Sequence, residues 1–309
     1  MKRLMILFAA LAAVACAKNN VPDPAPAGQT LKLTVSDFPA LESATKSGEV
    51  YGKTAWEDGD ELLIEFLKHA NGGNIFTDNR NIVSTTHLAT YSGGEWILDV
   101  PISVSESDLS NSCLQIYYRQ GLKWNKAADM TDLENMTLIT SDGHEPPTIA
   151  QHMQSELLCV YNLVRSMDHT ITFNKIVDDK GQLVSSILGR TNRVRIHYNS
   201  SGPIESINIR EVSGSLWYGN HYYLSGWNND ISIPLDENNE AIVYLDWEFY
   251  EDAPVLAITT TFEQYVNLPY GENDDIDAPY PFYELEFSNP IDSDYPSHYN
   301  AYAYSVEVR

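Results

Sequence analysis

The chain is short of cysteine, of basic residues and of long apolar runs, and each shortage excludes something. Three cysteines occur among 309 residues, and no two stand as Cys-x-x-Cys. Neither a thiolate zinc site nor thioredoxin-type redox chemistry is therefore indicated. Lysine and arginine number 19 against 43 acidic residues, a formal net charge of −24. A field of that sign repels phosphate backbones, so no nucleic-acid partner is expected. The apolar run from Leu4 to Val14 is shorter than the roughly 20 residues that a spanning helix needs. No P-loop, dinucleotide fingerprint, nucleophile elbow or His-Glu-x-x-His occurs. Without such a motif no catalytic set, metal or cofactor is assigned, and the chain reads as a non-enzyme.

What is present points to a folded, exported protein. Hydrophobic residues make up 43% of the chain, and 19 Tyr and 6 Trp offer much area to bury. Lys2 and Arg3 precede the short apolar run, and Ala13-Val14-Ala15-Cys16 closes it. That order is a signal segment rather than part of the fold. Small residues ahead of a cysteine resemble the bacterial lipobox, which implies cleavage before Cys16 and acylation of its thiol. A plain signal peptide cut after Ala15 or Ala17 is the alternative. Residues 1–15 are thus expected to be a lipoprotein signal. Residues 16–30, with Pro22, Pro24 and Pro26 among small residues, read as a stiff tether. Cys113 and Cys159 sit in apolar strand-like runs. A disulfide suits an exported protein, and two buried thiols are the plainer expectation.

From residue 31 the period is two. Leu31, Leu33 and Val35 alternate with Lys32, Thr34 and Ser36, the pattern of a half-buried strand. Asp58-Gly59 signals a turn ahead of the alternating Leu62, Ile64 and Phe66. Gly93-Gly94 divides a hairpin that runs from Ala89 to Leu98. Ser105 with Asp108 suits one capped helical turn, and Ile149, Met153 and Leu157 have helical spacing. Further strands are expected at 114–118, 157–160, 170–176, 194–196, 204–209, 231–233, 242–245, 255–262 and 283–287. Tyr302, Tyr304, Val306 and Val308 then share one face of a last strand. Many short strands with almost no helical period predict an all-β protein of two tandem β-sandwiches. The polar break Val177 to Gln182 divides it into 31–178 and 179–309.

Few residues suggest chemistry. Asp246 and Glu248 flank Trp247 on one strand face, as paired carboxylates do in some glycosidases; in a chain this acidic such a pair is expected on any solvent face. Asn273-Asp274-Asp275-Ile276-Asp277 lacks the EF-hand order and reads as a solvated acidic loop. His144-Glu145 lies in a proline-bearing loop and reads as solvated. Trp217, Tyr218, His221, Tyr222, Tyr223 and Trp227 form the densest aromatic cluster, a stacking platform for glycans or simply hairpin pairing.

The ordered motifs resemble the fimbrillin family, lipidated subunits of type V pili and related adhesins. The resemblance is carried by Cys16 ahead of the Leu31-Leu33 strand and by Thr45-Lys46-Ser47 before Trp56-Glu57-Asp58-Gly59-Asp60. Ala89 to Trp96 is similar to the family's hairpin. Thr170 to Phe173 followed by Arg193 to Ile196 is similar to its strand pair at the domain junction. Tyr302-Ala303-Tyr304-Ser305-Val306 is similar to its closing strand. It implies two transthyretin-like β-sandwiches without enzyme activity, held at the outer membrane by lipid on Cys16 and displayed on the cell surface. It also implies assembly: the first strand is cut away and a neighbour's strand, here Tyr302 to Val308, fills the groove. Partners would be other pilus subunits and a surface receptor. The family's cut commonly follows arginine, and Cys16 to Trp56 holds only Lys18, Lys32, Lys46 and Lys53. Lys46 is then the candidate cleavage residue, or the subunit is uncut and serves as an anchor or free adhesin. A surface lipoprotein that binds or cleaves glycans is the rival reading.

Overall fold

The computed structural model describes residues 29–40, 42–43, 51–78, 80–125, 138–140, 147–199, 202–213, 217–218, 222–223, 231–245, 255–259, 282–283 and 302–308. Within them the chain is all-β, relieved by a 3₁₀ turn at Glu106–Asp108 and a short helix at Ile149–Met153. The turn carries the cap expected of Ser105 and Asp108, and the helix carries one that its spacing alone did not announce. Ser105 and Asp108 close a capping box around the turn, and Thr148 and Gln151 close one at the start of the helix.

Seven antiparallel strands make the largest sheet. Its order is Ile176–Val177, Leu183–Arg190, Leu157–Leu163, Cys113–Arg119, Glu61–His69, Ile82–Ser92 and Glu95–Leu98. One face of it carries Leu62, Ile64, Phe66, Leu114, Ile116, Tyr118, Leu158 and Val160 into a buried core. Two small pairs cover that face. Gln29–Thr30 lies antiparallel to Ser103–Val104, and Lys32–Val35 lies parallel to Asp168–Ile171. Leu31, Ile102, Val104, Ile171 and Phe173 complete the core from this second layer. Gly93 and Gly94 turn the last hairpin with φ of 60° and 91°, a two-residue turn open to glycine.

A second core lies between two four-stranded sheets. One runs Glu240–Leu245, Asn192–Tyr198, Tyr302–Val308, Glu42–Ser43; the other runs Ile231–Pro234, Ser206–Ser213, Val255–Thr259, Phe282–Tyr283. Val194, Ile196, Val243, Leu245 and Val308 meet Ile207, Ile209, Ile231, Ile233 and Ile258, and Met153 of the helix joins them.

Two sequence expectations shift. The polar break at Asp178 to Gln182 is a hairpin turn inside the seven-stranded sheet, closed by the Asp178 and Gln182 backbones at 2.9 Å. Leu183–Arg190 continues that sheet beside Leu157–Leu163, and the change of core falls at Thr191. A polar tight turn and a polar linker have the same composition, so the sequence does not separate them. The segments from Thr170 and from Arg193 do not pair with one another. The first joins Lys32–Val35, whereas the second lies between Glu240–Leu245 and Tyr302–Val308.

Candidate functional site

The N-terminal strand fills the middle of the small layer over the first core. On one side the Leu31 amide donates to Ile102 O at 2.9 Å. On the other, Lys32 donates to Met167 O and Ser36 to Ile171 O, each at 2.9 Å. Removing the strand would leave unpaired carbonyls on both sides and an apolar trough between them. Its alternation sets which side chains fill that trough. Leu31 is 1% exposed, Leu33 and Val35 are half-buried against the core, and Lys32 and Thr34 face solvent. The Thr34 and Thr170 hydroxyls meet at 2.8 Å on the outside.

The strand's exit is tied to the Trp56-to-Asp60 segment. Trp56 donates its indole N–H to Ser36 O at 2.9 Å. Its ring packs edge-on to Phe38 at 4.7 Å, Trp96 at 5.1 Å and Tyr118 at 5.2 Å. Asp60 accepts from the Tyr118 hydroxyl at 3.0 Å and pairs with buried Lys53 at 3.0 Å. Burial, then the Asp60 charge, pushes the Tyr118 phenol far above its ordinary pKa, so it stays a donor.

The C-terminal strand is held in the same manner. Tyr302–Val308 runs parallel to Asn192–Tyr198, with Tyr304 opposite Val194 and Val308 opposite Tyr198. Val308 is fully buried in the second core and Val306 packs against it. Ala303 is buried as well, although the alternation puts it on the other side, because it stands opposite Arg193 at the junction of the two cores.

That junction holds a charge cluster with no sequence signal beyond isolated charges among apolar residues. Glu156 is fully buried and takes Arg190 Nε at 2.9 Å and Arg193 Nη2 at 2.6 Å. Arg190 also donates to the carbonyls of Pro39 and Ala40 at 2.7 and 3.0 Å. Arg193 donates to those of Tyr51 and Lys53 at 2.9 and 2.7 Å. Desolvation lowers the Arg190 pKa, and the Glu156 charge works against that shift. The Tyr51 phenol is raised to about 12, chiefly by burial.

Cys113 and Cys159 are buried free thiols, both pushed up to about 12 by burial. Cys16, Lys46, Asp246, Glu248, His144, Glu145 and Asn273 to Asp277 lie outside the described residues, as do His221 and Trp227. Trp217–Tyr218 and Tyr222–Tyr223 pair as a two-stranded ribbon. Among the described residues no group of three or more His, Cys, Asp or Glu side chains could hold a metal ion, and no helix is long and apolar enough to cross a membrane. No family model, curated protein or solved structure matches the chain.

Proposed function

We propose that this protein is a fimbrillin-like surface lipoprotein, a structural subunit or anchor of a type V pilus assembled by strand exchange, with a role in adhesion. In this reading the two cores are tandem transthyretin-like sandwiches, and lipid on Cys16 holds the chain at the outer membrane.

One observation supports the reading most. The N-terminal strand is a central strand of its layer, yet it joins Asp168–Ile171 in parallel. A parallel neighbour cannot be a hairpin partner, so no tight turn ties the strand to its place. It is held by backbone hydrogen bonds and by apolar burial worth about 1.5–3 kcal/mol for a side chain such as Leu31. An identical set of bonds and pockets is open to any strand of the same period, and Tyr302–Val308 has that period.

The test is to cut purified protein at Lys46 with a lysine-specific protease and follow its size. A stalk subunit converts from monomer to polymer, and a chain lacking residues 301–309 does not. A nicked chain that keeps its first strand and stays monomeric argues for the anchor or free adhesin. N-terminal sequencing of protein extracted from the cell surface then separates anchor from processed stalk.

A further inference from the structure

We infer that the segment Gln29 to Ser43 is a strap across both cores, which keeps the start of the C-terminal strand, Tyr302–Ala303, covered for as long as the N-terminal strand is seated. The biological meaning of the strap rests on the strand-exchange reading above.

Four contacts along the segment carry the inference. Gln29–Thr30 and Lys32–Val35 lie in the layer over the first core. Phe38 is buried in the same core against Trp56. Pro39 and Ala40 give both carbonyls to the Arg190 guanidinium, which Glu156 fixes from the other side. Three residues later Glu42–Ser43 crosses to the second core's sheet and pairs in parallel with the C-terminal strand, Glu42 opposite Tyr302 and Ser43 opposite Ala303.

The C-terminal strand therefore lies between two neighbours at its start. Asn192–Tyr198 belongs to its own core; Glu42–Ser43 is lent by the segment that also carries the N-terminal strand. Loss of that segment strips one edge of Tyr302–Ala303 of its pairing, and a bare strand edge templates a new strand. Acceptor groove and donor strand would thus be uncovered by a single event. While the strap is whole, the N-terminal strand is seated and the Tyr302–Ala303 edge is paired.

The first experiment uses the full-length chain with Ser43→Cys and Ala303→Cys, two positions opposite in register. Oxidation is expected to close an intramolecular disulfide, located by peptide mapping. Two more titratable thiols than the parent chain has in denaturant, in place of that bond, also with Glu42→Cys and Tyr302→Cys, overturn the strap. The second experiment places a specific protease site between residues 43 and 51 of the otherwise native chain. Release of the N-terminal piece, at a dilution that keeps the product monomeric, is expected to speed amide exchange at 302–303 about tenfold or more, with 61–69 unchanged. Exchange at 302–303 as slow as in the uncut chain overturns the proposal. Growth on concentration is read separately by light scattering. Faster exchange without growth keeps the strap and removes the strand-exchange reading.

Discussion

Arg193 stands at the start of one core's strand and reaches Glu156, at the edge of the other core, at 2.6 Å with both side chains buried. Arg190 completes the pair into a triad at 2.9 Å. Such a cluster is weak as a source of stability, because desolvation offsets most of its attraction, but it is intolerant of losing one member.

Glu156→Ala leaves two buried guanidinium groups facing one another. A loss of about 3–5 kcal/mol is expected in urea unfolding. Replacing the triad together, with Glu156→Leu, Arg190→Met and Arg193→Met, should recover much of that loss. A triple variant as unstable as Glu156→Ala would show that the backbone carbonyls held by the arginines matter more than the charges.

Leu31→Ala should cost about 2–5 kcal/mol, the range for a truncated core leucine. Thr34→Ala, on the solvent face three residues along the same strand, should stay within about 0.5 kcal/mol. Equal effects at the two positions would mean that the strand's facing is not the one described.

His169 is buried opposite Leu33 beside the N-terminal strand, its Nε2 without a hydrogen-bond partner, and burial pulls its pKa down to about 4. An unfolded histidine titrates near 6.5. Between those values the unfolded chain holds a proton that the folded chain does not, so stability rises with pH. The contribution is whole above about 6.5 and is lost as pH falls toward 4, amounting to about 1–3 kcal/mol. His169→Gln should flatten the melting temperature between pH 7 and pH 4 relative to the parent. An unchanged slope would assign the acid sensitivity elsewhere, His152 being next, since burial and then Arg119 lower it to about 4 as well.

Cys113 and Cys159 should resist alkylation by iodoacetamide at pH 8 in the native protein and react in denaturant, since burial raises both thiols to about 12. Modification of either in the native state would show that the outer face of the large sheet opens.

The strand pattern was readable because period-two burial is local. Leu31, Leu33 and Val35, the Gly93-Gly94 turn and Val306 to Val308 follow from side-chain alternation and turn chemistry alone. The junction was not readable. Glu156, Arg190 and Arg193 are each one charged residue beside apolar ones, and only the return of two cores to one place makes them a cluster. Arg193 even falls on the polar face of its strand's alternation. The core boundary was misplaced for a related reason: Asp178 to Gln182 has linker composition, whereas at Thr191 the strand Leu183–Arg190 passes into Asn192–Tyr198 with one residue between them. Ala303 shows the converse, a small residue on the nominally outer face that is buried where its strand runs beside Arg193.

Both terminal strands have a parallel neighbour distant in sequence, and this bears on how the molecule folds. Thr34 meets Thr170 across 136 positions of sequence, and His197 meets Glu307 across 110. Contacts of such separation form late, since the chain between them must be closed before the pairing rewards it. The N-terminal strand is thus among the last to find its seat, waiting for Asp168–Ile171. Until then the layer over the first core is unfilled, and the rate at which the chain's own strand closes that gap sets how long its strand edges stay bare.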